Sequence, residues 1–409
     1  MYNLFRKLTQ NYKNLGSNIY ILFIIRIISN MGAFVYPLLF LILTQKIHLS
    51  KAQSGLFILI LSISTVPSLL IGGKLADRYE KKKVILISQI CGAICYFTCA
   101  FIPTSMIMAV IIRSASILYS VANPAIDALS ADLTTNENRK SAFSLLYLGT
   151  NIGTIIAPVI GGFLFKKRLS ILFLGDAITT LIGLTLLVIF IKGPQIETVA
   201  VSSDQKSTAE TSNNKSVIAI LLEKPILIYF ALTMFIYQFA YSQWTFTLPL
   251  QLEDYFENNG AQIYGLLSGF NGFVVLFSTP LLAFTLRKVK PLKSIVYGGI
   301  MYIIAFIMFG LSDQNMYLYF VAVFIFSAGL VSITTNSGPF IANNSPAAYR
   351  GRINSIIPII TGAGSAVGPF ITGIILEISS YKVWWFTISL IIVIGLILMN
   401  LLNRKDMMS

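Results

Sequence analysis

Charge is what this 409-residue chain has least of: 11% of its residues are Asp, Glu, Lys or Arg, against 56% that are hydrophobic. A water-soluble domain carries about 25% charge, so water is not the main solvent of this sequence. Histidine is nearly absent, with His48 alone, and there are three cysteines. No Ser/His/Asp grouping, phosphate-cradling Walker loop or metal-ligand spacing occurs, so neither hydrolysis of ATP nor another catalytic activity is expected, and no cofactor or metal. Cys91, Cys95 and Cys99 recur every four residues and so share one helix face. With no His or Met cluster beside them they read as small apolar filling, and an odd number within a bilayer argues against a disulfide framework. Repeats of short period, the mark of a solenoid, are missing. The net charge of +14 is not gathered on one soluble surface, as a nucleic-acid partner would require.

What the chain does have is long apolar runs. A membrane-spanning helix needs about 20 mostly apolar residues. Twelve segments qualify, at 18–44, 53–76, 83–102, 105–132, 140–165, 169–191, 225–251, 261–286, 292–311, 315–337, 351–377 and 381–402, here helices 1 to 12. The first follows a basic, polar segment but runs too long for a cleaved signal peptide, so it is expected to stay as a span. The polar stretch 193–216 has almost no aromatics and reads as a cytoplasmic linker between six-helix halves at 1–192 and 217–409. Lys46, Lys51, Lys166, Lys167, Arg168 and Lys382 fall in one set of loops, and Arg26 and Arg113 inside helices. All other Lys and Arg fall on the opposite side, which the positive-inside rule makes cytoplasmic, with both termini.

The chain also repeats itself. Gly153, Pro158 and Gly162 correspond to Gly364, Pro369 and Gly373 at an offset of 211, as Arg139 does to Arg350, and Gly55 corresponds to Gly265 at 210. Duplicated hydrophobic halves are the plan of many secondary transporters, with the substrate path between them.

After helix 2 the chain reads GGKLADRYEKKK. Here it resembles the major facilitator superfamily, whose signature between helices 2 and 3 is matched by Gly73, Asp77, Arg78, Lys82 and Lys83. Glu80 stands where the family has glycine. A worn copy, Ala283, Arg287, Lys288 and Lys293, follows helix 8. The resemblance implies that this loop latches the halves together, with Asp77 at the positive end of helix 11; ordinary positive-inside charge is the alternative. On helix 5, Gly153, Ala157, Pro158, Gly161 and Gly162 resemble the superfamily's antiporter signature, with Ser144 and Ala157 replacing two of its glycines. Small residues four apart also let any two helices approach, and the copy at Gly364, Gly368, Pro369 and Gly373 suggests architecture shared by both halves. In the family the signature goes with export.

Charges inside spans are costly and mark functional candidates. Arg113 on helix 4 resembles the family's helix 4 arginine and is expected to face a cavity; at about 12 Å from the helix start, snorkelling looks strained. Arg26 and Asp127 lie at depths of about 12 and 9 Å on helices that the resemblance puts around a central cavity. They form either a static ion pair or a proton switch, in which protonation of Asp127 releases Arg26. Asp176 on helix 6 is a second proton-coupling candidate, or a polar contact between helices. Asp132, near Arg139 and Lys140, reads as structural. Asn30, Tyr36, Asn123, Tyr237, Gln238, Tyr241, Trp244 and Asn336, with Gln243 also offered by helix 7, are expected to line a substrate cavity, which suits bulky, amphipathic or cationic molecules through stacking and cation–π attraction.

The resemblance covers essentially the whole chain and implies an all-α membrane protein, twelve transmembrane helices in two pseudo-symmetric six-helix bundles of the major facilitator fold. The expected function is that of a monomeric, multi-pass cell-membrane antiporter in the lipid bilayer, similar to multidrug efflux proteins, exchanging a small molecule for protons by alternating access. Export of a metabolite, siderophore or lipid, an uptake symporter, and a non-transporting sensor stand as alternatives.

Overall fold

Lipid offers no hydrogen bonds, so each segment that crosses it must pair its own backbone groups, as a helix does. The computed structural model describes residues 12, 15–135, 137–166, 168–191, 223–285, 289–346 and 349–408. Among these, twelve helices are long and apolar enough to cross a bilayer, and no strand occurs. They are α1 (Ser17–Lys46), α2 (Lys51–Arg78), α3 (Lys81–Cys99), α4 (Met106–Asp132), α5 (Arg139–Phe165), α6 (Leu169–Phe190), α7 (Pro225–Phe256), α8 (Gly260–Thr285), α9 (Pro291–Leu311), α10 (Met316–Asn344), α11 (Arg350–Ile375) and α12 (Tyr381–Met408). The linker at 193–216, Arg287, Lys288 and the side chains of Ala283 and Arg350 lie outside the described residues.

One helix departs from the continuous run that its composition predicts. α1 is helical over Ser17–Met31, stops, and restarts as Val35–Leu41 before a wider coil at Ile42–Lys46. Pro37 stands in the first turn of the restarted half. It has no N–H, and its ring would clash with the carbonyl of the residue four before it in an unbroken helix, yet it fits the first turn of a new one. Six interior prolines elsewhere fall in matched pairs, Pro67 and Pro280 on α2 and α8, Pro124 and Pro339 on α4 and α10, Pro158 and Pro369 on α5 and α11, while Pro249 on α7 and Pro358 on α11 stand outside these pairs.

The chain divides into two compact units. The first comprises Met1–Leu49, Ile60–Glu197 and Ala261–Gly269; the second comprises Ser50–Leu59, Thr198–Gly260 and Phe270–Ser409. Two short segments thus cross the boundary expected at the linker: the start of α2 belongs to the second unit and the start of α8 to the first. In the first unit α1 packs on α5 and α6, and α3 on α4 and α6. In the second, α7 packs on α11 and α12, and α9 on α10 and α12. The same neighbours recur six helices later, which is the sequence repeat written in packing.

The repeated glycines explain how the exchanged segments are held. A Cβ on Gly265 of α8 would collide with the Pro158 carbonyl, and one on Gly162 with the Ala261 carbonyl. In the second unit, a Cβ on Gly55 of α2 would collide with the Pro369 carbonyl, and one on Gly373 with the Lys51 carbonyl. Backbone meets backbone at both seams, which only glycine permits.

The units differ inside. The second is filled by aromatic rings around Phe326, which stacks on Trp244 at 5.0 Å and Tyr302 at 4.9 Å. The first has an aliphatic core at one end, including Ile19, Leu22, Ile85, Leu129, Leu146, Leu184 and Leu187, and above it a cavity.

Candidate substrate cavity

The cavity of the first unit has a volume of about 440 Å³ and is walled by α1, α2, α3, α4 and α6. Leu22, Ile85, Leu129, Leu184 and Leu187 form both part of the aliphatic core and part of its wall, so the packed core closes that end. α4 supplies a polar stripe, Ser116, Tyr119, Ser120 and Asn123, at the three- and four-residue spacing that keeps side chains on one helix face. Gln89 and Tyr96 of α3 and Thr180 of α6 complete it. Of these only Asn123 was expected from sequence; the stripe on α4 was the signal for Ser116, Tyr119 and Ser120. Tyr119 Oη lies 3.3 Å from Thr180 Oγ1, and the Tyr96 and Tyr119 rings meet edge to face at 5.6 Å.

Two lining residues carry charge, Arg26 and Asp176. Arg26 Nη2 donates to Asp127 Oδ1 at 3.0 Å, so the structure forms the pair that helix depth predicts. The Asp127 side chain is 67% exposed and that of Arg26 26%, which makes this a wet pair at the edge of the cavity rather than an acid in a dry interior. Asn30 donates to the Arg26 carbonyl at 2.8 Å and lines the same wall. Asp176 is different. It is 5% exposed, and its Oδ2 accepts from the Val35 backbone N–H at 3.3 Å. It makes no ion pair among the described residues. Val35 is the first residue of the restarted half of α1, whose N–H groups have no intrahelical acceptor. Tyr36 also lines the cavity.

The remaining sequence candidates fall elsewhere. Arg113 does not line the cavity; its Nη2 donates to Ser64 Oγ of α2 at 2.8 Å, and its Nε is buried without a partner. Tyr237, Gln238 and Tyr241 line a second cavity, of about 170 Å³, in the second unit. Trp244 lines neither cavity and is buried against Phe326. Asn336 lines neither, and donates to the Ser332 carbonyl of its own helix at 2.9 Å. Gln243, a polar residue of the helix 7 set, is fully buried: its Oε1 accepts from Thr247 at 2.7 Å, Thr372 at 2.9 Å and Trp384 Nε1 at 3.3 Å.

Of the loop motif Lys82 packs within the first unit, and the helix 5 motif seats two neighbouring helices. Asp77 is exposed and makes no ion pair among the described residues, and Gly73 has open space around it. Arg78 stacks on Tyr79, and Lys83 pairs with Glu80 at 3.2 Å. Lys82 Nζ donates to the carbonyls of Val188 at 3.2 Å and Ile191 at 2.7 Å, capping the C-terminal end of α6, where a cation is favoured. Asp132 pairs with Lys81, not with Arg139, whose Nε donates to Thr134. On α5, a Cβ on Gly153 would stand 2.6 Å from the Cβ of Asn30, and one on Gly161 would stand 3.0 Å from Leu38. Gly153 and Gly161 thus seat α1, while Gly162 and the Pro158 carbonyl seat α8. Ala157 is buried in the same helix.

Comparison with known proteins adds to this geometry. The Major Facilitator Superfamily profile matches residues 22–357. An uncharacterized MFS-type transporter of Bacillus subtilis (strain 168), YqjV, is 25% identical over 348 residues, 84% of this chain and 82% of its own. A Na(+), Li(+), K(+)/H(+) antiporter of Planococcus maritimus is 19% identical over 357 residues, 82% of this chain and 84% of its own. Among solved structures, the nucleoside transporter NupG superposes with a TM-score of 0.78 at 16% identity, over 95% of this chain and 100% of that one.

Proposed function

The chain belongs to the Major Facilitator Superfamily, and within it we propose that this protein is a proton-coupled secondary transporter that exports lipophilic or cationic small molecules across the cell membrane. The single observation that carries the reading is the first unit's cavity. It combines apolar walls (Leu61, Ile85, Leu184), tyrosine rings (Tyr36, Tyr96, Tyr119) and one carboxylate, Asp176, that makes no ion pair among the described residues. Aromatic faces attract cations, and apolar walls with a few placed polar groups suit small-molecule binding. Sequence similarity to a cation/proton antiporter supports exchange, and the Lys and Arg asymmetry supports cytoplasmic termini.

In this mechanism substrate enters from the cytoplasmic side, the halves alternate access, and an inward proton replaces it. Arg26 and Asp127 act as an electrostatic gate at the cavity edge: while paired at 3.0 Å each neutralises the other, and parting them exposes a guanidinium to an arriving cation. For an uncharged substrate the membrane potential contributes about 2.3 kcal/mol per inward proton per 100 mV; one-for-one exchange with a monovalent cation moves no net charge and is driven by the pH gradient.

Inside-out vesicles carrying the protein provide the test. Adding lipophilic cations such as tetraphenylphosphonium and ethidium should trigger proton release that protein-free vesicles lack. Silence across a broad panel of such cations would end this reading of the function.

A further inference from the structure

We propose that Asp176 carries the coupling proton, and that the break in α1 reads its charge state through the Val35 N–H. This rests on the proton-coupled reading above. Three observations converge on it. First, Asp176 lines the cavity, so a proton can reach it, yet it is 5% exposed and without an ion pair among the described residues. The other ionisable groups facing this cavity are Tyr36 and Arg26 of α1, Tyr96 of α3 and Tyr119 of α4. Arg26 is already engaged by Asp127, and α2 brings only Leu61 and Thr65. Among the described residues, what faces a negative charge on Asp176 is the backbone at Val35 and Phe34 and no cationic side chain.

Second, that N–H sits at a mechanical weak point. α1 stops after Met31 and restarts at Val35 with Pro37 in its new first turn; Gly32 N–H still reaches the Ile28 carbonyl, but Phe34 N–H turns back to the Gly32 carbonyl. The direction in which Val35–Leu41 leaves the break therefore depends on what holds its first turn. Third, α6 is geared to both sides of the break. A Cβ on Gly175 would stand 2.7 Å from the Phe34 ring, a Cβ on Gly32 would collide with Thr179, and a Cβ on Gly183 would stand 2.7 Å from Ser29. Movement of one helix is thus transmitted to the other.

The chemistry follows from charge. A carboxylate accepts the Val35 N–H through a charge-assisted hydrogen bond, about twice as strong as a neutral one. When a proton from cavity water binds an Asp176 oxygen, the group becomes a neutral acid, a poorer acceptor, and gains an O–H that needs an acceptor of its own. The tie to Val35 weakens, and Val35–Leu41 is free to turn about the break. Loss of the proton on the other side of the membrane restores it. No other bond is made or broken.

Two readouts on the full chain in proteoliposomes test this. Amide hydrogen exchange at Val35, corrected for the intrinsic effect of pH, should be about tenfold more protected in alkaline than in acidic buffer, the size of one charge-assisted hydrogen bond. Asp176→Asn, which cannot ionise, should be flat and poorly protected, and Asp176→Glu should recover the slope. With tetraphenylphosphonium as probe, Asp176→Asn should lose transport driven by a pH gradient, and Asp176→Glu should restore it. A wild-type pH slope in Asp176→Asn, or no slope in the wild type, would overturn the proposal. Absence of gradient-driven transport in the wild type would instead remove the proton-coupled reading, and the exchange measurement at Val35 would still judge Asp176.

Discussion

Asp127 and Gln243 are both polar side chains on spanning helices, and their surroundings give opposite expectations. Asp127 is 67% exposed beside Arg26, so the pair contributes little to stability once solvent screening is counted. Asp127→Asn should therefore cost under about 1 kcal/mol in a thermal melt while altering export rate, and it should keep proton release per substrate unchanged. Loss of proton release with binding intact would move the carrier from Asp176 to Asp127. Gln243 is a structural hub. Gln243→Leu would leave the Trp384 indole N–H and two threonine hydroxyls without their acceptor in a dry interior. Each buried unsatisfied group costs about 1–3 kcal/mol, so the variant should melt far lower even if the threonines turn to backbone carbonyls. An unchanged melting temperature would contradict that network. From sequence alone Gln243 looked like part of a polar cavity wall, because hydropathy records that a polar side chain lies in a helix and not which partners surround it.

Among elements, the two exchanged segments are the most informative. α2 enters the second unit with Gly55 against the Pro369 carbonyl, and α8 enters the first with Gly265 against the Pro158 carbonyl. The seam in the second unit carries an extra clasp. Lys51 lies 3.5 Å from Asp254 and donates to Tyr381 Oη at 2.8 Å, Tyr381 donates to Asp254, and Glu377 accepts from the Ala52 N–H at 3.3 Å. Because the glycine contacts are equivalent, Gly55→Ala and Gly265→Ala should be similarly damaging, at about 1–3 kcal/mol each for overpacking, and both should slow transport. A melt in which one tolerates alanine and the other does not would refute the equivalence. The clasp should add less: a double-mutant cycle on Lys51 and Asp254, the latter 41% exposed, should return a coupling of about 0.2–1 kcal/mol. The glycine repeat was readable in the chain, since register at 210–211 residues is a property of the letters. The clasp was not, because Lys51, Asp254 and Tyr381 come from three helices far apart in sequence.

For the molecule as a whole, exchange of segments has a consequence for dissection. The first unit includes Ala261–Gly269 and the second includes Ser50–Leu59, so each six-helix half made alone lacks part of the unit it builds. Residues 1–192 expressed alone should be protease-sensitive in membranes, with the backbone around Gly162 uncovered. Co-expression with 217–409 should restore protection and transport. Equal protection of the single half would show the exchanged segment to be dispensable.

The amino-acid sequence by itself determined that the chain crosses a membrane twelve times, because the cost of unpaired backbone in lipid leaves an apolar run of that length no other structure. It also determined the duplication and the similar depths of Arg26 and Asp127, since helical rise converts residue number into depth, while the family resemblance put their helices around one cavity. Only the tertiary structure decided which polar groups meet. It put Asp176 on the Val35 N–H, turned Arg113 away from the cavity to Ser64, gave Lys82 to the end of α6, and buried Trp244 among rings. Composition and periodicity describe one helix at a time. Partners on different helices are chosen by how those helices rotate and break, and the restart of α1 at Val35 is what offers Asp176 a backbone N–H.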